Sequence, residues 1–251
     1  MSAVFGRLAQ AIEREERAVL FTVIEGDPLG AHMLVLEDGE RLGDELPEEL
    51  AAQAGELIRD HTNRILELQD GKVFAEIYAP PPRLLVYGAV DTAESLAKLA
   101  GQLGWQAIVA DARTKFATRE RIPSASEIIV AWPEETIAQV APDHATAVVV
   151  LTHDDKFDVP ALKAALETDA FYVGALGSRR NQERRRGRLL ESGVDESELE
   201  RISGPCGLDL GAESQPETAI SILAEIIAVR NNRDGGKLQQ SKQRIHVEVA
   251  E

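Results

Sequence analysis

A chain of 251 residues with 44% hydrophobic content can bury one large core or two modest ones, which predicts one full domain beside a small one. Its formal charge of −16, from 27 Lys and Arg against 43 Asp and Glu, repels phosphate polymers and anionic lipid and argues against DNA, RNA and membrane partners. No run approaches about 18 uninterrupted apolar residues, the N-terminal stretch has no apolar signal segment, and one cysteine, Cys206, cannot form an internal disulfide framework; the expectation is a soluble, cytoplasmic protein.

The first 80 residues read as a compact α+β unit. An amphipathic helix (3–15) leads to the apolar run 18–24, and 33–36 precedes the tight-turn pair Asp38-Gly39. A helix over 47–60 follows, then strands over 64–68 and 72–78 around a second hairpin signal, Asp70-Gly71. Pro80-Pro81-Pro82 can continue neither ladder nor helix, so the boundary between a 1–80 domain and an 83–231 domain falls there.

Beyond the linker, strands alternate with helices as parallel sheets require. Strands are predicted over 83–87, 106–110, 128–131, 146–151 and 171–176, and helices over 92–103, from Pro133, through 161–166, over 182–191 and over 217–229. The fold class is therefore α/β: a small N-terminal α+β domain followed by a Rossmann-like parallel-sheet domain, with a polar tail over 232–251.

Four places carry candidate chemistry. The first βα turn, Gly88-Ala89-Val90-Asp91-Thr92-Ala93, is in register with a dinucleotide fingerprint, and Asp111 ends the second strand where a ribose-binding acid sits. Val90 stands where backbone should approach a pyrophosphate, and Asp91 would repel one, so the turn reads either as an NAD(P) site or as a capped, packed corner. The second place is Gly174-Ala175-Leu176-Gly177-Ser178-Arg179-Arg180, a strand running through a glycine turn into a helix. Residues 179–188 hold six arginines against one glutamate, a local reversal of the chain's charge. Gly177, Ser178, Arg179 and Arg180 there form a candidate anion site, while some of Arg184, Arg185, Arg186 and Arg188, which spread around the helix, read as solvated.

The third place is Thr152-His153-Asp154, with Asp155 and Asp158 behind it, at the carboxyl end of a parallel strand; His153 is either a ligand contact or a turn-stabilising donor. The fourth is the loop 204–213, in which Gly207, Asp209 and Gly211 shape a non-repetitive backbone and Cys206 either carries sulfur or fills an apolar gap. Glu217, at the start of the last helix, complements the helix dipole. No histidine or cysteine set has metal-ligand spacing.

Taken together, the run 82–88, Thr152-His153-Asp154 through Asp158, the run 172–180, Gly207-Leu208-Asp209-Leu210-Gly211-Ala212 and the run 219–225 resemble the XdhC/CoxI family over about residues 17–230. The resemblance implies an accessory factor for xanthine dehydrogenase and related molybdenum hydroxylases. Such a factor binds molybdenum cofactor, guards it during sulfuration by a cysteine desulfurase and hands it to the apoenzyme. Molybdopterin carries a phosphate, which makes the arginine turn a sensible receptor; the expected contacts are Gly177, Ser178, Arg179 and Arg180 for phosphate, Gly207, Asp209 and Gly211 for shape, His153 with Asp154 for polar groups, and Gly88 at the first turn. The chain departs from the family at Gly43-Asp44-Glu45-Leu46-Pro47, where members have a Ser-Gly-Gly-Cys segment, and at Val90-Asp91, where they have Gly-His. The leading expectation is a non-catalytic maturation factor; the alternatives are an NAD(P)-dependent oxidoreductase using the first turn and Asp111, and a nucleotide-sensing module, left open because no nucleophile is paired with a base. The modest core of the N-terminal domain makes a homodimer a hypothesis for sedimentation to test.

Overall fold

The computed structural model describes residues 3–241. The chain divides into two compact units, one built on the residues up to Pro80 and the other on Pro81–Gly236.

In the first unit, helix α1 (Ala3–Glu13) precedes β1 (Ala18–Glu25), β2 (His32–Leu36) and β3 (Arg41–Gly43); α2 (Glu48–Asp60), β4 (Arg64–Leu68) and β5 (Gly71–Tyr78) follow. All pairings are antiparallel, in the order β3-β2-β1-β5-β4. Strand β1 is apolar on both faces because both are covered. Ala18 and Leu20 pack with Val4, Leu8 and Ala11 of α1, and Val19, Phe21 and Val23 pack with Leu50, Leu57 and Ile58 of α2.

The second unit contains β6 (Arg83–Tyr87), α3 (Asp91–Gln102), β7 (Gln106–Ala110), β8 (Glu127–Ile129), α4 (Pro133–Val140), β9 (Thr146–Val150), α5 (Asp155–Leu166), β10 (Tyr172–Ala175), α6 (Arg179–Glu191), α7 (Glu196–Leu199), β11 (Ile202–Ser203) and α8 (Gln215–Arg230). Its six strands are all parallel, ordered β11-β10-β9-β6-β7-β8. Helices α3 and α8 close one face through Leu96, Ile222 and Ile226, and α4, α5 and α6 close the other through Ile137, Leu162 and Leu189. Every residue of β9 is buried, which accounts for its unbroken apolar run. Strand order reverses between β6 and β9, so the crevice outside their carboxyl ends is the place where such sheets bind ligands.

Elements with a strong apolar pattern fall within a few residues of their predicted bounds. Helix α6 begins at Arg179 rather than at 182, because the Ser178 hydroxyl accepts a hydrogen bond from the Asn181 amide and caps it there. Most of the predicted tail, residues 242–251, lies outside the described residues. Within the described part, Leu238–Gln240 is one 3-10 turn, and Gly235 lies close against the Leu208 side chain.

Candidate functional site at the carboxyl edge of the parallel sheet

The predicted candidates of the second domain all lie along one edge, in the loops leaving β6, β7, β9, β10 and β11. At the first turn, Gly88 is held at φ +116°, and a Cβ there would meet the Thr152 amide nitrogen and methyl carbon at 3.0 Å. Its glycine is therefore explained by the approach of the β9 end, without any ligand. Asp111 is 1% exposed and spends both carboxylate oxygens inside the protein. One accepts from the Ala89 amide at 3.0 Å, and the two together bind the Arg113 guanidinium at 2.8 Å, with the Arg113 amide at 2.9 Å. Burial pushes this carboxyl up, but the Arg113 and Ala89 donors outweigh it and hold it below the usual carboxylate range. A ribose would have to displace those partners. Asp91 is the first residue of α3, behind the N-cap Val90, and pairs with Arg121 at 3.1 Å.

The arginine-rich helix divides sharply. Arg184 and Arg188 bind Asp155 at 3.1 and 2.9 Å, and Arg186 binds Glu196 at 2.6 Å. Arg185 is the one of these four that is not solvated: it is 3% exposed and pairs at 2.6 Å with Asp158, itself 1% exposed. Its guanidinium also donates to the Leu176 carbonyl at 3.1 Å and to the Gln182 side-chain oxygen at 2.7 Å, while the Thr152 hydroxyl donates to the other Asp158 oxygen. This buried network ties the end of β9 to the strand-to-helix turn after β10. The signal in the sequence was Leu189, one turn beyond Arg185 on the same inward face.

Only Arg179 and Arg180, in the first turn of α6, lack an ion-pair partner among the described residues of this helix, and both are exposed together with Ser178. Two uncompensated guanidiniums beside the positive end of a helix dipole make this turn suited to a phosphate or other small anion. On the neighbouring strand, His153 is exposed in the left-handed region at φ +57°, and Asp154 caps α5 by accepting from the Lys156 amide at 3.0 Å.

The glycine loop after β11 is anchored to α8. The Gly207 amide donates to Glu225 at 2.8 Å, and the Ser221 hydroxyl donates to the Leu208 carbonyl at 2.5 Å. A Cβ on Gly207, whose φ is +109°, would stand 2.4 Å from the Ser221 hydroxyl. Asp209 and Gly211 project from the exposed part of the loop. Cys206 is buried beside Tyr172, whose hydroxyl donates to Glu225; burial, and then the Glu225 charge, push the thiol up to about 12. That is the chemistry of a gap-filling thiol rather than of a nucleophile. Glu217 joins a capping box with Ser214, its carboxylate accepting from the Ser214 and Glu213 amides at 2.9 and 3.0 Å.

Among the described residues no helix is long and apolar enough to cross a membrane. The chain is 33% identical over 162 residues to a protein of Bacillus subtilis named as a probable xanthine dehydrogenase component, covering 64% of this chain and 47% of that one. It is 32% identical over 157 residues to the molybdenum cofactor insertion chaperone PaoD of Escherichia coli, covering 62% and 43%. The chain thus spans less than half the length of these curated relatives. A solved structure described as a xanthine dehydrogenase from Bacillus halodurans superposes with a TM-score of 0.69 at 25% identity, over 90% of this chain and 66% of that one. The model of the XdhC Rossmann domain matches residues 84–226, more than half of the sequence, and the chain belongs to the XdhC family.

Proposed function

We propose that this protein is an accessory factor that binds molybdenum cofactor by its phosphate end at the α6 turn and delivers it to a molybdenum hydroxylase apoenzyme of the xanthine dehydrogenase type. One observation carries the reading: in a chain of net charge −16, the helix opening at the sheet's ligand-binding edge keeps Arg179 and Arg180 unpaired while pairing its other four arginines. The insertion-chaperone name of the Escherichia coli relative supports the same cargo. In this reading Gly177 and Ser178 present the turn, His153 and Asp154 face the cargo's polar groups, and Gly207, Asp209 and Gly211 shape the neighbouring wall.

The oxidoreductase alternative is disfavoured by Asp111, whose oxygens are already engaged, and by a Gly88 that serves packing. A cysteine desulfurase partner would have to act on the cargo itself, since Cys206 is buried and its thiol held neutral. Anaerobic calorimetry with released molybdenum cofactor, and with NAD(P)H in parallel, tests the reading. Binding of the pterin that falls about ten- to a hundredfold in Arg179→Ala supports it, from the worth of a charge-assisted hydrogen bond. Binding of the nicotinamide alone overturns it.

A further inference from the structure

The same sheet edge also places a tryptophan at a helix start. Helix α5 is capped by Asp154 and α6 by Ser178, both residues that accept a backbone hydrogen bond. Helix α3 begins behind Val90 without a side-chain cap, and α4 begins behind Trp132, whose indole can accept none; at α4 only Glu135 makes a capping contact, at 3.4 Å from the Trp132 amide. A tryptophan here forfeits a polar cap worth about 1 kcal/mol. It is nonetheless 45% exposed, and Val130 beside it is 48% exposed.

The surroundings suit a flat ring. The Trp132 ring lies 5.5 Å from that of Phe157, inclined at 42°, so one edge is backed by protein. The Lys156 ammonium sits 4.9 Å from the Trp132 ring centre and has no ion-pair partner among the described residues. An exposed indole offers a face on which a planar heteroaromatic ring can stack, and an ammonium without an ion-pair partner beside it can donate to an oxygen of the same ligand. Helix α5 packs between α4 and α6, so at 8–10 Å per helix spacing Trp132 stands roughly 16–20 Å from the Ser178 turn.

We propose that Trp132 and Lys156 form a stacking shelf for the flat heteroaromatic end of an extended phosphate-bearing ligand, at the opposite end of the site from Arg179. This deepens the function proposed above and rests on it for the phosphate end only. The ring is either a nucleobase or the pterin, which share the stacking chemistry, and separate probes distinguish them.

The experiment titrates the full chain with three probes: a nucleoside diphosphate lacking a pterin, a phosphorylated pterin lacking a base, and pyrophosphate lacking a ring. It follows indole fluorescence and binding heat. Trp105, the other tryptophan, is buried and serves as the internal reference. Saturable quenching by at least one ring probe and none by pyrophosphate is expected, with the effective probe naming the end that stacks. Affinity for that probe should fall about ten- to a hundredfold in Trp132→Ala, and Trp132→Phe should keep most of it while losing the quenching. Affinity unchanged in Trp132→Ala, or no quenching by either ring probe, overturns the shelf. Weakening by Arg179→Ala but not by Trp132→Ala sinks the shelf and leaves the phosphate site standing. The converse keeps the shelf and removes the phosphate assignment.

Discussion

Replacing Arg185 by methionine removes one partner of an ion pair whose other member, Asp158, is 1% exposed. The stranded carboxylate keeps only the Thr152 hydroxyl, and leaving a buried charge uncompensated costs about 3–5 kcal/mol. Against the 5–15 kcal/mol that a domain commonly has in hand, that is a large share. Both tryptophans, Trp105 and Trp132, lie in the second unit, so urea unfolding followed by indole fluorescence reports on the unit that contains the pair. The double variant Arg185→Met with Asp158→Leu removes both charges together and should recover most of the loss. Because Arg185 also holds the Leu176 carbonyl, the single variant should weaken anion binding at Ser178 without any contact of its own. A loss below about 1 kcal/mol in the single variant, or a double variant no more stable than the single, would refute the reasoning.

Asp111 has its pKa lowered in the fold, so the stability it contributes is present above the ordinary carboxyl value and is lost as pH falls through the depressed one. Acid titration of Asp111→Asn against wild type should show the difference narrowing only below about pH 4, and a difference that vanished near neutrality would contradict it. With its thiol pushed up to about 12, Cys206 should react with a thiol reagent at pH 8 at least about a thousandfold more slowly than the unfolded chain, and native labelling at the free-thiol rate would show the site to be open. Gly88→Ala meets both the left-handed φ of +116° and the Thr152 backbone at 3.0 Å; a loss of about 1–3 kcal/mol is expected in thermal unfolding, and a neutral result would mean the turn can open.

The architecture was legible where burial is continuous. Strands β6, β7 and β9 are apolar because both faces of a parallel sheet are covered, and their bounds could be read to within a residue. Strands β3 and β11 have no signature in the sequence because three and two residues carry no periodicity; Ile202–Ser203 is a strand only because β10 lies beside it. The position of the arginine turn followed from a glycine between strand and helix. Which arginines are free did not, since pairing depends on Asp155, Asp158 and Glu196, which only the fold brings near. Trp132 is illegible for the same reason: Pro133 announces a helix start, and only the packing of Phe157 and Lys156 around the indole gives it a role.

The central claim, delivery of a phosphate-held cargo, is tested most directly by reconstitution. A cofactor-free molybdenum hydroxylase would be mixed anaerobically with molybdenum cofactor, alone or preloaded on the wild-type chain or on the Arg179→Ala/Arg180→Ala variant, and its activity followed. Activation by the loaded wild type that exceeds activation by free cofactor, and falls to the free-cofactor level in the variant, is the expected result. Equal activation by free and preloaded cofactor, or by wild type and variant, would contradict it.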